Sequence, residues 1–71
     1  MANEAMAEKL KALRGQRTQR EVAEALGISL SAYAMYESGA RVPRDEVKIR
    51  IAKYYNRSVK FLFFADDAHR E

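Results

Sequence analysis

The sequence predicts an all-α protein, a compact bundle of five short helices, and three observations predict it. Apolar residues recur at the three- and four-residue spacing of helices. Glycines and small hydroxyl side chains fall between the periodic stretches, where helices stop and start. The 71 residues, 48% hydrophobic and 32% charged, provide for one small core and not two.

Met6, Leu10 and Leu13 lie at i, i+4 and i+7 and give a first helix its stripe, from about Asn3 to Arg14, with Gly15 ending it. Thr18 opens a second helix. Glu21, three residues on, completes a capping box in which each side chain satisfies the other residue's orphan backbone N–H. Val22, Ala23 and Leu26 form the buried stripe of that helix. Gly27 suits a left-handed residue after it, Ile28 an apolar plug, and Ser29 the cap of a third helix that runs to about Ser38 and closes at Gly39.

A polar loop, Ala40 to Pro43, leads to a fourth helix, with Pro43 at or near its first turn and Asp45 and Glu46 complementing its positive end. The segment Val47-Lys48-Ile49-Arg50-Ile51 alternates with the period of a half-buried strand. It nevertheless continues through Ala52, Tyr54 and Tyr55 without a turn signal, so a helix is expected, with Val47, Ile51, Tyr54 and Tyr55 on one face and Ile49 off it. Asn56 stops that helix, Ser58 is a cap, and Val59 to Phe64 makes a last short helix or an extended segment. Residues 1–64 are thus expected to form one domain, and residues 65–71 an acidic, flexible tail.

Composition removes several classes of function. Without cysteine there is no disulfide framework and no thiolate zinc site, and a single histidine, His69, leaves no HExxH-type centre. The longest apolar run, Phe61 to Ala65, is far short of the roughly 20 residues that cross a bilayer. The opening residues Met1, Ala2, Asn3, Glu4 and Ala5 lack the basic patch and apolar stretch of a secretory signal, so the expected location is the cytoplasm. Thirteen Lys and Arg against ten Asp and Glu give +3, unevenly placed: residues 1–60 carry twelve basic and seven acidic groups (+5), residues 61–71 one basic and three acidic (−2). A basic body suits a polyanionic partner, although a merely soluble surface has the same composition.

Two short helices joined at Gly27, the second capped by Ser29, make a helix-turn-helix unit. The run Thr18-Gln19-Arg20-Glu21-Val22-Ala23-Glu24-Ala25-Leu26-Gly27-Ile28-Ser29, then Tyr36-Glu37-Ser38-Gly39, then Pro43, resembles the lambda repressor/Cro-type (XRE-like) helix-turn-helix family, over about Met6 to Phe63. One departure is that only Gly15, Gln16 and Arg17 separate Arg14 from Thr18, fewer than the family usually has.

The resemblance implies a DNA-binding transcriptional regulator of repressor type, with the third helix, about residues 30–38, in the major groove of double-stranded DNA. On a helical wheel Tyr33, Tyr36 and Ala32 share one side, expected to face the core, and Leu30, Ser31, Ala34, Met35 and Ser38 the other. The family's base-contacting positions fall on Leu30, Ser31, Ala34 and Met35. Here the family often carries Gln, Arg, Asn or Lys, whereas this face has no charge, which shifts specificity to thymine methyl contacts, ordered water and DNA shape. Phosphate contacts are assigned to Arg17, Thr18, Gln19, Ser38, Arg41 and Arg44, with Arg20 close by, and solvated surface is expected for Arg50 and Arg57. The family's arginine ending helix one and glutamate ending helix three are present as Arg14 and Glu37, a structural ion pair.

The aromatic residues Tyr54, Tyr55, Phe61, Phe63 and Phe64 are expected mainly in the core rather than as a platform for stacked bases. They exceed what such a core needs, so Ile49, Phe61, Phe63 and Phe64 are assigned to a homodimer surface, suited to an inverted-repeat operator. No catalytic set, cofactor or metal is implied. Asp66, Asp67 and His69 are read as tail, and Glu21 with Glu24 as ordinary helix surface. The competing reading is a protein-interaction module, an antitoxin or antirepressor, that docks a partner on the apolar face of helix three.

Overall fold

The computed structural model describes residues 2–64, and the expected acidic tail of residues 65–71 lies outside them. Helix α1 spans Ala2–Arg14, α2 Gln19–Leu26, α3 Leu30–Ser38, α4 Asp45–Tyr55 and α5 Val59–Phe63. Among the described residues the protein is all-helical with five short helices, as its periodicity predicts.

The caps set the boundaries. Thr18 Oγ1 accepts from the Glu21 N–H at 3.0 Å while the Thr18 N–H donates to Glu21 Oε1 at 2.8 Å, so the capping box is formed in both directions. Gly27 ends α2 in the left-handed region, at φ 74° and ψ 31°, and donates its N–H back into the last turn. Ser29 and Ser58 cap α3 and α5 by accepting from the Ala32 and Phe61 N–H groups, each at 3.0 Å. Asn56, at φ 57°, stops α4 in a conformation that asparagine tolerates better than most side chains do.

Packing places α3 between α1 and α2, sets α4 against α2 and α5, and brings α5 back onto α1. The largest fully buried side chains are Leu10, Val22, Tyr33, Ile51 and Leu62, one from each helix. Each buried aliphatic side chain of this size contributes about 1.5–3 kcal/mol relative to exposure. Tyr33 carries a hydroxyl into this core and shares a 2.7 Å hydrogen bond with the Tyr55 hydroxyl, tying α3 to α4.

Two local expectations are refined. Pro43 stands before α4 and not in its first turn, because Arg44 is the extended N-cap residue and the helix starts at Asp45. The open choice for the last segment resolves to helix over Val59–Phe63. The alternating stretch from Val47 to Ile51 is helical, and its apparent period of two arises because Ile49 points to solvent, 49% exposed, while Val47 and Ile51 are buried.

Candidate nucleic-acid interface

The turn between α2 and α3 holds two helix N-termini and one exposed helix face in a fixed relation. In α3 the aromatic side is inward: Tyr33 is fully buried and Tyr36 nearly so. On the other side Leu30 is 37% and Met35 43% exposed, Ser31 and Ser38 are exposed and Ala34 is half-buried. The division expected from the helical wheel is the one the fold adopts. Along this outer face α3 presents no ion and no side-chain amide.

The hydroxyl of Ser38 is engaged inside the protein. Ser38 Oγ donates to the Met35 carbonyl at 3.0 Å and accepts from the Ala40 N–H at 3.3 Å, helping close α3. Ser31 is therefore the one hydroxyl of this face without an internal bond.

Arg14, at the end of α1, reaches across to α3. Its Nε donates to Glu37 Oε2 at 2.7 Å and its Nη2 to Glu37 Oε1 at 3.1 Å, a two-pronged pair. Gln19 Nε2 adds a third donor to Glu37 Oε1, at 3.0 Å, so α1, α2 and α3 meet on one carboxylate. Burial alone would raise the pKa of Glu37, but hydrogen bonds from Arg14 and Gln19 outweigh it and hold the carboxyl below its ordinary value of 4.5. The pair is structural, and it also orients Gln19, whose second amide N–H is left for an outside acceptor.

The short link between α1 and α2 is closed by reciprocal bonds. Arg17 donates to the carbonyls of Arg14 and Leu13 at 3.1 and 2.7 Å, and Arg14 Nη1 donates back to the Arg17 carbonyl at 2.8 Å. Arg17 also reaches the Tyr54 hydroxyl at 3.2 Å, with its guanidinium carbon 5.3 and 5.4 Å from the ring centres of Tyr54 and Tyr55. This arginine thus serves the C-terminal carbonyls of α1 and the Tyr54 hydroxyl with three of its five N–H groups, and two remain. Tyr54 and Tyr55, in edge-to-face contact at 5.0 Å, pack with the core and beneath Arg17.

Anion-binding groups remain nearby. The first N–H groups of a helix have no partner within it, and those of Gln19 and Arg20 open α2. Arg20, Arg41 and Arg44 are exposed, and their side chains carry no hydrogen bond or ion pair among the described residues. Arg41 and Arg44 line, with Tyr36 and Val42, a cleft of about 250 Å³ beside the C-terminal end of α3. Val42, 47% exposed, is an apolar wall that the periodicity of the helices could not mark, because it lies in a loop.

Arg50 is exposed, as expected, and it also has a structural role. Its Nη1 donates to the Leu26 carbonyl at 3.1 Å, bracing the end of α2 from α4. The signal was present: α2 has no basic residue in its last turn, so its terminal carbonyls must be satisfied from elsewhere.

The residues assigned to a dimer surface are mostly open. Ile49, Phe61 and Phe64 are 49%, 44% and 42% exposed, while Phe63 is half-buried against the core. Lysines lie over all three rings: Lys9 Nζ sits 4.7 Å from the Phe61 ring and donates to the Phe61 carbonyl at 2.8 Å, and Lys48 Nζ sits 4.7 Å from the Phe64 ring and 5.7 Å from that of Phe63. Lys48 also approaches Asp45 at 3.8 Å, but Asp45 is so exposed that this pair contributes little.

A family model described as helix-turn-helix matches residues 10–62. No curated protein and no solved structure matches the chain. Among the described residues no helix is long and apolar enough to cross a membrane.

Proposed function

The chain belongs to the lambda repressor-type (XRE-like) helix-turn-helix family of DNA-binding regulators, which is not an enzyme family, and from that membership we propose a sequence-specific transcriptional repressor of the cytoplasm that binds an inverted-repeat operator as a homodimer. Helix α3 enters the major groove with Leu30, Ser31, Ala34 and Met35 against base edges. Thr18, Gln19, Arg41 and Arg44 hold the phosphate backbone, joined by Arg20 and by the remaining N–H groups of Arg17, while Ser38 joins by exchanging internal bonds. Ile49, Phe61, Phe63 and Phe64 form the surface between two copies, which sets the recognition helices about 34 Å apart.

One observation carries this reading: α3 buries Tyr33 and Tyr36 and turns Leu30, Ser31 and Met35 outward, in a fold that leaves Arg20, Arg41 and Arg44 unpaired among the described residues. An apolar face alone also suits a protein partner, but the unpaired arginines and open helix N-terminus favour an anion.

Selection of bound duplexes from genomic fragments, followed by titration at several salt concentrations, tests the reading. Three free arginines per copy, six per dimer, predict that log K falls against log salt with a slope on the order of −5. Salt-indifferent capture of a protein, with no duplex retained, would instead establish the antitoxin or antirepressor reading.

A further inference from the structure

The outer face of α3 has unusually few ways to tell one base pair from another. Direct discrimination in the major groove comes from paired hydrogen bonds of Arg, Lys, Asn or Gln, and this face has none of these. Ser38 uses both its donor and an acceptor position within the turn, which leaves Ser31, and a single hydroxyl bonds any base edge. What the face does offer is apolar: Leu30 and Met35 exposed, with Ala34 half-buried between them in sequence. The apolar feature of a base edge in the major groove is the C5-methyl group of thymine. A cytosine methylated at C5 places the same group at the same ring position.

We propose that this protein reads 5-methylpyrimidines: α3 detects C5-methyl groups in the groove, whether thymine or 5-methylcytosine carries them. The proposal rests on α3 being the groove-reading helix and specifies the ligand chemistry of that site. Its physical consequence is that cytosine methylation tunes operator affinity upward. Burying one methyl group against a hydrocarbon side chain is worth about a fourfold change in affinity.

The test uses the full chain and the best duplex found by selection. Each thymine is replaced in turn by deoxyuridine, which keeps every hydrogen-bonding group and removes only the methyl. At contacted positions affinity falls about three- to fivefold. Replacing those T·A pairs by C·G also weakens binding, and 5-methylcytosine in the same place restores it. The exposed Met35 is then changed to Ala, with helical content checked by circular dichroism; Met35→Ala becomes indifferent to uridine at its position while keeping its salt dependence. Met35→Gln, which supplies an amide for adenine, loses the methyl dependence as well. If sequence preference persists but uridine changes nothing at any position, the proposal is overturned and the DNA-binding reading stands. If no duplex is bound at all, both fall.

Discussion

Glu37 and Arg14 share a hydrogen-bonded pair at 2.7 Å in which the carboxylate side chain is 2% exposed and the guanidinium side chain 23%. The asymmetry decides which partner matters more. Losing Arg14 strands a buried charge, whereas losing Glu37 leaves a cation that can turn to water. Arg14→Met should therefore destabilise the fold by about 3 kcal/mol, the low end for a broken pair because Arg14 keeps some solvent. Glu37→Gln should cost less, and denaturant midpoints of the two variants check the order.

The same carboxylate makes stability depend on acid. Its folded pKa lies below 4.5, so its contribution is complete above that value and is lost as pH falls through the folded one. Below pH 4.5 the parent protein should lose stability more steeply than Glu37→Gln. Parallel acid curves for the two would show that Glu37 is not the group responsible.

Alkaline pH tests the core. Burial first, then the hydrogen bond with Tyr55 and the nearby Glu37, push the Tyr33 phenol far above its ordinary value of 10.0, and burial raises Tyr55 as well. Both hold their protons to higher pH in the folded protein than in the unfolded chain, so their stabilisation is full below pH 10 and fades as pH rises past it. Phenolate absorbance should show Tyr33 and Tyr55 titrating only together with loss of helix. All four tyrosines ionising at once in an intact helical protein would contradict the buried hydroxyl pair.

Recognition and anchoring are separable by mutation. Met35→Ala should change preference at particular base pairs, while Arg41→Ala should weaken every duplex alike and reduce the salt slope by about 1 per copy. Binding titrations on operator and random DNA at several salt concentrations measure both effects, and equal losses on all sequences for both variants would refute the division.

Pairing of two copies is tested at the exposed apolar residues. Ile49→Glu and Phe64→Ser should sediment as monomers at concentrations where the parent is a dimer, with helical content kept because neither side chain is part of the buried core. Unchanged sedimentation for both would remove these residues from any subunit contact.

How much of this was legible in the sequence depended on how local the cause was. The Thr18–Glu21 box, the glycines after α2 and α3, and the inward tyrosines of α3 follow from spacings of a few residues. The meeting of Arg14 and Glu37 came from the family resemblance, since nothing local places residues 23 apart in contact. Side-chain bonds to the backbone were the blind spot. Arg17, Ser38 and Arg50 all spend their hydrogen bonds on backbone carbonyls at helix ends, which hydrophobic periodicity does not report. The lysines over Phe61 and Phe64 were equally hidden, because a ring with a cation on its face and a ring in the core have the same letter in the sequence.

The ion-free outer face of α3 separates two quantities that rise and fall together in many regulators. With α3 in the groove, as proposed, its contacts would displace no condensed cations, so brine would thin occupancy on every tract of duplex by one common factor while the ratio between a true operator and bulk chromosome held steady. Such a regulator would loosen its grip in a cell under osmotic stress without ever mistaking its address.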